Sequence, residues 1–240
     1  MYNRAYGSNF SGGIWNGIKN SFKQGTALTR LIYINIGVFL IIKILEVFFV
    51  LAGQRGFEQL LLPYVGVPAL PERLLYTPWT IITNMFTQFG FLHLLFNMLW
   101  LYWFGSLFLY FFSGKHLRGL YVLGGICGGL FYMIAYNIFP YFSQTLPFST
   151  LVGASASVLA IVAATAYREP NYRVQLFLFG AVRLKYLALI VIGTDLLFIT
   201  SNNAGGHIAH LGGALAGLWF AASLSKGKDV TYWINWFLDG

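Results

Sequence analysis

The stretch GGHIAHLGGALAG, residues 205–217, places two histidines three positions apart among glycine, alanine and leucine. It opens an uncharged run, Gly206 to Ser223, close to the length of about 20 apolar residues with which an α-helix crosses a bilayer. Within this run, Gly213 and Gly217 form a G-x-x-x-G pattern, which lets a second membrane helix approach closely. The stretch therefore predicts a tightly packed membrane helix that carries imidazole groups.

Composition extends this prediction to the whole chain. Of the 240 residues, 58% are hydrophobic and 9% are charged, whereas soluble domains carry about 25% charged residues. The candidate spans are the apolar runs Leu31–Ala52, Gly90–Phe112, Leu120–Phe139, Phe148–Tyr167, Tyr186–Thr200 and Gly206–Ser223. The second begins near Gly90 because PWTIITNMFTQFG, residues 78–90, contains Thr, Asn and Gln and is expected at the interface. We predict an all-α membrane protein, a bundle of six transmembrane helices.

Three segments follow from these runs: a cytoplasmic tail at 1–28, a six-transmembrane domain at 29–225 and a short cytoplasmic tail at 226–240. The first 30 residues are polar and contain glycine, without the apolar core and small-residue cleavage site of a signal peptide. Prolines at 63, 68, 71 and 78 predict a compact loop, without a continuous helix, that lies partly in the outer leaflet.

The positions of the basic residues predict the orientation. If the N-terminus is cytoplasmic, the inner segments hold twelve Lys and Arg residues: Arg4, Lys19, Lys23, Arg30, Lys115, Arg118, Arg168, Arg173, Arg183, Lys185, Lys226 and Lys228. The outer segments hold two, Arg55 and Arg73. This asymmetry predicts a multi-pass protein of the plasma (inner) membrane with both termini cytoplasmic. The net charge of +8 then reflects contact with anionic lipid of the bilayer, and no nucleic-acid partner is predicted.

Ionisable residues inside the spans are costly, and each is a candidate for function. Lys43 and Glu46 lie three positions apart and are expected to pair along one helix. Asp195 has no local partner in the sequence. A hydrogen-bonded structural role, or contact with the interface, is favoured for it over a role in orienting a histidine. Cys127 is the one cysteine, so no intrachain disulfide is possible, and we expect a packing role for it.

Three spans run from outside to inside under this orientation, and each carries a polar side chain near its start. His93 and Asn97 lie four positions apart on one face of the second span, Ser155 lies in the fourth and His210 in the sixth. At about 1.5 Å per residue they share a layer a few ångströms below the outer surface. A nucleophile, a base and hydrogen-bond donors thus meet at one depth, although contacts between helices are the alternative for His93 and Asn97.

Small residues predict how close these helices come. Gly153, Ser157, Ala160 and Ala164 form a stripe on the fourth span that is expected to face Gly213 and Gly217 of the sixth. A serine hydroxyl attacks a carbonyl at neutral pH only with a base within about 3 Å. Close packing of these two helices therefore favours a pair formed by a serine and a histidine.

His210 is the favoured histidine because it lies deeper in the run than His207. His207 is one turn nearer the water and is expected to be an ordinary interfacial side chain. A metal site that uses both histidines is the alternative. The sequence shows no Glu or Cys ligand close by and no H-E-x-x-H motif, so we predict no metal and no cofactor.

The same residues resemble the rhomboid family of intramembrane serine proteases, over about Trp79 to Phe220. PWTIITNMFTQFGFLHLLFNMLWLYWFG is similar to the family's H-x-x-x-N region, GASAS to its nucleophile motif, and AHLGGALAGL to its A-H-x-x-G-x-x-x-G motif. The resemblance implies that Ser155 is the nucleophile and His210 is its general base and then acid. It also implies that His93, Asn97 and the backbone N–H of Ser155 stabilise the oxyanion, and that no third triad member exists. Ala156 stands where many members have glycine.

The implied reaction is hydrolysis, through an acyl-enzyme, of peptide bonds in or next to transmembrane segments of membrane proteins. Substrates are expected to carry helix-weakening residues near the outer interface and a small side chain before the cut. The short fifth span, which ends in TSNNAGG, is the expected mobile wall for substrate entry. The main alternative is a catalytically silent rhomboid-like protein that binds membrane helices. A transporter, weakened by the lack of internal repeats, and a metal-binding membrane protein are the others.

Overall fold

The computed structural model describes residues 25–176 and 180–239, and this part of the chain is mostly helical. The predicted N-terminal tail lies almost wholly outside the described residues. The α-helices, numbered in chain order, are α1 Ala27–Leu51, α2 Phe57–Val65, α3 Pro71–Tyr76, α4 Thr80–Thr83, α5 Phe91–Phe111, α6 Gly114–Ile138, α7 Ser155–Arg168, α8 Leu184–Leu197, α9 Ala204–Leu224 and α10 Tyr232–Asp239. Short 3₁₀ turns occupy Asn84–Phe86 and Pro140–Phe142.

Two short antiparallel strand pairs depart from the all-α prediction. Strand β1, Val67–Pro68, pairs with β2, Thr150–Leu151, so that Val67 lies opposite Leu151. Strand β3, Arg173–Leu176, pairs with β4, Gly180–Arg183. The first pair gives backbone partners to an extended stretch ahead of α7, where no helix satisfies them.

Four helices in the described part of the chain, α1, α5, α6 and α9, are long and apolar enough to cross a membrane. They coincide with the first, second, third and sixth predicted spans, and α5 begins one residue after the predicted start at Gly90. Helices α7 and α8 have 14 residues each. At about 1.5 Å per residue each extends roughly 21 Å, which is less than the ~30 Å of a bilayer core.

The predicted start of the fourth span at Phe148 is wrong, because α7 begins at Ser155. Residues 148–154 form a turn and the strand β2. Gly153 has a φ of 135°, a value outside the helical range that ends any helix at this point. Ser155 is therefore the first residue of its helix.

Helix α7 is the centre of the bundle. All its residues from 156 to 166 are buried, and it packs against α5, α6, α8 and α9. Neighbouring helices, in place of lipid, surround most of it. A short helix in such a position leaves its flanking backbone next to protein, where non-helical segments at membrane depth are tolerated.

The predicted glycine contact between the fourth and sixth spans is confirmed. A Cβ atom at Gly213 would lie 2.1 Å from the Ala156 carbonyl oxygen, and one at Gly217 would lie 2.1 Å from that of Ala160. The predicted stripe is partly wrong, because Ser157 lies against α6: a Cβ at Gly125 would meet its Oγ at 2.8 Å. Because an α-helix has 3.6 residues per turn, Ser157 lies on a different face of α7 from Ala156 and Ala160.

The segment after α1, predicted as a compact loop without a continuous helix, contains two short helices, α2 and α3. Pro63 lies inside α2, which the prediction of a loop did not anticipate. A proline removes one backbone donor, and this nine-residue helix forms without it. The predicted ion pair is confirmed: Lys43 Nζ lies 2.7 Å from Glu46 Oε2, and also 3.1 Å from Glu58 Oε1 of α2.

The C-terminal helix α10 is held against α6 by polar contacts. Asp239 forms ion pairs with Lys115 and Arg118, which hold the pKa of its carboxyl below the usual range. Arg118 Nε also donates to Asn235 Oδ1 at 3.0 Å. Aromatic side chains on the outer face, Trp233, Trp236 and Phe237, are exposed. Such a face suits the membrane interface.

Candidate active site

A cavity of about 680 Å³ lies where α5, α7 and α9 meet. All four predicted site side chains, His93, Asn97, Ser155 and His210, line it. The remaining walls include Tyr132 and Tyr136 of α6 and the extended residues 149–153 ahead of α7. The structure therefore brings together residues from three helices that lie far apart in the sequence.

Ser155 sits at the start of α7, where the first backbone N–H groups have no partner within the helix and the dipole favours negative charge. The loop before it is fixed by Gly153, whose N–H donates to the Asn84 carbonyl at 2.9 Å. A Cβ at Gly153 would lie 3.1 Å from His93 Cε1 and 3.7 Å from Ser155 Oγ. Glycine at this position allows the imidazole of His93 to lie beside the serine.

A buried chain of hydrogen bonds positions Asn97. Its Nδ2 donates to Gln88 Oε1 at 3.0 Å, and Gln88 Nε2 donates to Asn35 Oδ1 at 3.0 Å. Asn35 Nδ2 in turn donates to the Tyr121 hydroxyl at 3.0 Å. One N–H of the Asn97 amide is thereby fixed, and the other is the one available to the cavity that Asn97 lines.

Asn35 and Gln88 were not singled out in the sequence as supports of the site. A signal existed, because Asn35 is an uncharged polar residue within an apolar span and Gln88 belongs to the polar run before α5. Both side chains are fully buried, at 0% exposure. A buried amide requires partners, and in this fold the partners form one continuous network from α1 to α5.

His210 bonds a carboxylate. Its Nδ1 lies 2.9 Å from Asp195 Oδ1, and His207 Nδ1 lies 2.8 Å from the same oxygen. Asp195 belongs to α8 and is 4% exposed. The connection between α8 and α9 turns the chain back, so a residue 15 positions before His210 reaches it.

Two expectations from the sequence are corrected by this contact. His207 is not an ordinary interfacial side chain, because it is bonded to Asp195 and its side chain is 19% exposed. Asp195, for which the sequence showed no local partner, is bonded to both histidines. The sequence could not show this, since the partners lie on separate helices and share no periodic spacing.

The ring of His210 has one nitrogen left for chemistry. Nδ1 is bonded to Asp195, so Nε2 is the atom that can accept a proton from a nucleophile. Within residues 25–176 and 180–239 no hydrogen bond joins Ser155 Oγ to His210, although both line the cavity. Catalytic hydrogen bonds are often long without substrate and tighten in the complex.

Comparison with known proteins agrees with the motifs around this cavity. The family model of the Rhomboid domain matches residues 76–227, which include every residue of the candidate site. The chain belongs to the rhomboid family. The resemblance found in the sequence is thereby confirmed.

One relative of this rhomboid is "RHOMBOID-like protein 12, mitochondrial" from Arabidopsis thaliana. The two are 31% identical over 161 residues, a match that covers 62% of this chain and 47% of the relative. The chain thus spans about half the length of that relative.

Ala156, the departure from the motif of many rhomboids, packs on α6. A Cβ at Gly128 would lie 2.6 Å from the Ala156 Cβ, so this methyl group fills the space above a glycine of α6. Ala156 also lines the cavity. The extra methyl group is therefore accommodated mainly by Gly128.

Asp195, His207 and His210 together could hold a metal ion. Their donor atoms all lie within 4.8 Å of one another. From the sequence we predict no metal site, because no Glu or Cys ligand lies near the two histidines. In the structure Asp195 of α8 provides a third possible ligand.

Proposed function

We propose that this rhomboid is an intramembrane serine endopeptidase with Ser155 as nucleophile and His210 as general base. One observation carries the proposal: Ser155 and His210 line the same cavity, and the His210 ring is bonded through Nδ1 to a buried carboxylate. This combination is the arrangement by which a serine hydroxyl is activated and its base is oriented.

In the first half of the reaction, His210 Nε2 takes the proton of the Ser155 hydroxyl while Oγ attacks the carbonyl carbon of the scissile bond. The oxyanion of the tetrahedral intermediate accepts hydrogen bonds from the backbone N–H of Ser155 and from His93 and Asn97. Each such donor is worth about 3 kcal/mol in a site shielded from water. The C–N bond then breaks, and His210 returns the proton to the leaving amine.

In the second half, water attacks the acyl-enzyme and His210 Nε2 takes a proton from it. Collapse of the second tetrahedral intermediate returns this proton to Ser155 Oγ and releases the new carboxyl terminus. Asp195 accepts the Nδ1–H of His210 throughout. It holds the tautomer with a free Nε2 and stabilises the imidazolium that forms in each half.

The proposed substrates are transmembrane segments of other membrane proteins. Their cleavable bonds lie near the outer interface, in helix-weakening sequence, with a small residue before the cut. We place the entry path at α8, which packs against α7 and α9 and exposes Leu189, Ile190 and Leu197. A disulfide that locks α8 to α5 is expected to abolish cleavage until it is reduced.

The proposed arrangement in the membrane has six spans, with α7 and α8 as short spans, and both termini on the cytoplasmic side. Domain limits at 1–28, 29–225 and 226–240 and a plasma (inner) membrane location belong to the same proposal. The distribution of Lys and Arg supports it. Reporter fusions at each loop test the orientation. Fractionation of the same cells by membrane type tests the location.

The proposal is tested with purified protein in detergent and a model single-pass substrate. Ser155→Ala and His210→Ala are expected to abolish cleavage. His116→Ala is the matched control, because His116 lies outside the cavity, where its ring contacts Asp229 at 3.5 Å, and cleavage is expected to continue. Cleavage by Ser155→Ala at the wild-type rate would overturn the proposal. A wild-type protein that binds the substrate without cutting it would favour the silent helix-binding alternative.

A further inference from the structure

The cluster formed by Asp195, His207 and His210 has an unused ligand atom. Both imidazole rings bond the same oxygen, Asp195 Oδ1, at 2.8 and 2.9 Å. Asp195 Oδ2 is buried and has no hydrogen-bond partner in the part of the chain that the structure describes. A buried polar atom without a partner is costly, so this oxygen is an acceptor available to a ligand at the cluster.

The negative charge of the Asp195 carboxylate is also uncompensated when both imidazoles are neutral. The carboxylate of Asp195 is 5% exposed, and the ion-pair contacts that it makes among residues 25–176 and 180–239 are those to the two histidines. Burial of an unpaired charge is unfavourable. A cation bound between the three side chains would neutralise the carboxylate.

We propose that Asp195, His207 and His210 bind a divalent transition-metal ion of the zinc class. Two imidazole nitrogens and a carboxylate oxygen are a ligand set that zinc prefers, with the fourth, tetrahedral position left for water. Zinc bonds of about 2.0–2.1 Å place tetrahedral ligand atoms about 3.4 Å apart. The two contacts between a histidine nitrogen and the carboxylate oxygen need to widen by about half an ångström, and all three donor atoms already lie within 4.8 Å of one another. Hard ions such as Mg²⁺ favour all-oxygen sites and are not expected to bind.

Metal binding would inhibit proteolysis through the His210 tautomer, and this consequence rests on the proposed function. A neutral imidazole that coordinates the ion through Nδ1 carries its single proton on Nε2. Relative to the catalytic tautomer, the proton moves from Nδ1 to Nε2, and the lone pair freed on Nδ1 forms the metal bond. Nε2 then donates a hydrogen bond and cannot take the proton of Ser155. The same atoms thus hold His210 either as a base or as a metal ligand.

Access to the cluster runs through the cavity that His210 lines. The side chains of His207 and His210 are 19% and 23% exposed, so the ion does not have to cross a sealed core. His207 contributes a ligand to the metal but touches none of the reacting groups. Substitution of His207 is therefore expected to weaken metal binding without removing a reacting group.

Binding is tested directly on the full chain in detergent, stripped of metal with a chelator and titrated with Zn²⁺ against a chromophoric indicator. Wild type and Ser155→Ala are expected to bind one ion. Asp195→Asn and His207→Gln are expected to bind at least tenfold more weakly. His207→Gln keeps a donor for Asp195 and so guards against misfolding. His116→Ala removes a histidine outside the cluster, one that contacts Asp229, and is expected to bind like wild type. Absence of stoichiometric binding, or wild-type affinity in His207→Gln, would overturn the inference.

Inhibition is tested in parallel. Zn²⁺ is expected to inhibit cleavage by wild type and Mg²⁺ is not. His207→Gln is expected to need at least tenfold more Zn²⁺ than wild type for half-inhibition, each measured relative to that protein's own rate in chelator. Equal sensitivity of the two proteins would overturn the inference. If neither wild type nor His207→Gln cleaves the substrate even in chelator, the proposed function fails. The Zn²⁺ titration still shows whether the metal site exists.

Discussion

The Nδ1 atom of His210 lies 2.9 Å from Oδ1 of Asp195. This contact joins α9 to α8 and adds a carboxylate to the two residues, Ser155 and His210, that we propose for catalysis. In a Ser-His-Asp arrangement the carboxylate sets the tautomer of the imidazole and holds its orientation. In this protein the oxygen that bonds His210 also bonds His207, so the two rings share one carboxylate.

Replacement of Asp195 by Asn is expected to lower kcat by roughly 10²- to 10⁴-fold with a small change in KM, because the wrong tautomer of His210 is then favoured. Steady-state cleavage of a single-pass substrate measures both constants. Asp239→Asn is the matched control at an exposed site on α10 and is expected to keep wild-type kcat. An unchanged kcat in Asp195→Asn would show that the carboxylate does not orient the base.

Replacement of Gly153 by Ala is expected to remove most cleavage, because the added Cβ would lie 3.1 Å from His93 Cε1. Gly227→Ala is the control: Gly227 also has a positive φ, of 77°, but nothing lies within 4 Å of its added Cβ. Gly227→Ala lies in the left-handed region and is expected to lose about 1–2 kcal/mol of stability from backbone strain, whereas the φ of 135° at Gly153 is expected to cost Gly153→Ala up to about 3 kcal/mol. Equal loss of activity in the two would mean that strain alone, and not contact with His93, explains the effect.

Replacement of Gln88 by Ala is expected to destabilise the protein by about 1–3 kcal/mol for each of Asn97 and Asn35 that loses its partner. Cleavage is expected to fall as well, since Asn97 is no longer held in place. Thermal unfolding in detergent and kcat measure the two effects. Gln175→Ala, at an exposed position of β3, provides the comparison. A stable, fully active Gln88→Ala would contradict the role of the network.

Replacement of Gly213 by Ala is expected to push α9 away from α7, because its Cβ would lie 2.1 Å from the Ala156 carbonyl oxygen. Overpacking of this kind costs about 1–3 kcal/mol. The shift would also separate His210 from Ser155, so the unfolding temperature and cleavage should fall together. Gly193→Ala in α8 meets nothing within 4 Å and is expected to be neutral in both assays.

The long apolar helices could be predicted from the sequence because their signal is local. Local sequence was enough for three features. These are the start of α5, the pair formed by Lys43 and Glu46, and the approach of Gly213 to α7, and each depends on residues a few positions apart or on a run of one composition. Membrane helices of about 20 residues leave a clear trace of this kind. The start of α7 was placed too early because residues 148–154 are apolar but extended, and composition does not distinguish an extended run beside protein from a helix in lipid.

The candidate site was predicted residue by residue, but its supports were not. Ser155, His210, His93 and Asn97 belong to short motifs that can be recognised in one chain. Asp195 and Gln88 act through side chains of other helices, and such contacts depend on the relative rotation of packed helices. No periodic pattern in the sequence reports that rotation, so the carboxylate partner of both histidines became visible only in three dimensions.

We propose that His210 activates Ser155 for attack. Labelling with a fluorophosphonate probe, followed by mass mapping of the modified residue, tests this without knowledge of the natural substrate. We expect an adduct on Ser155 in wild type, none in Ser155→Ala, and labelling slower by at least about 10²-fold in His210→Ala. A folded wild-type protein that stays unlabelled, or one labelled equally fast with His210→Ala, would contradict the claim.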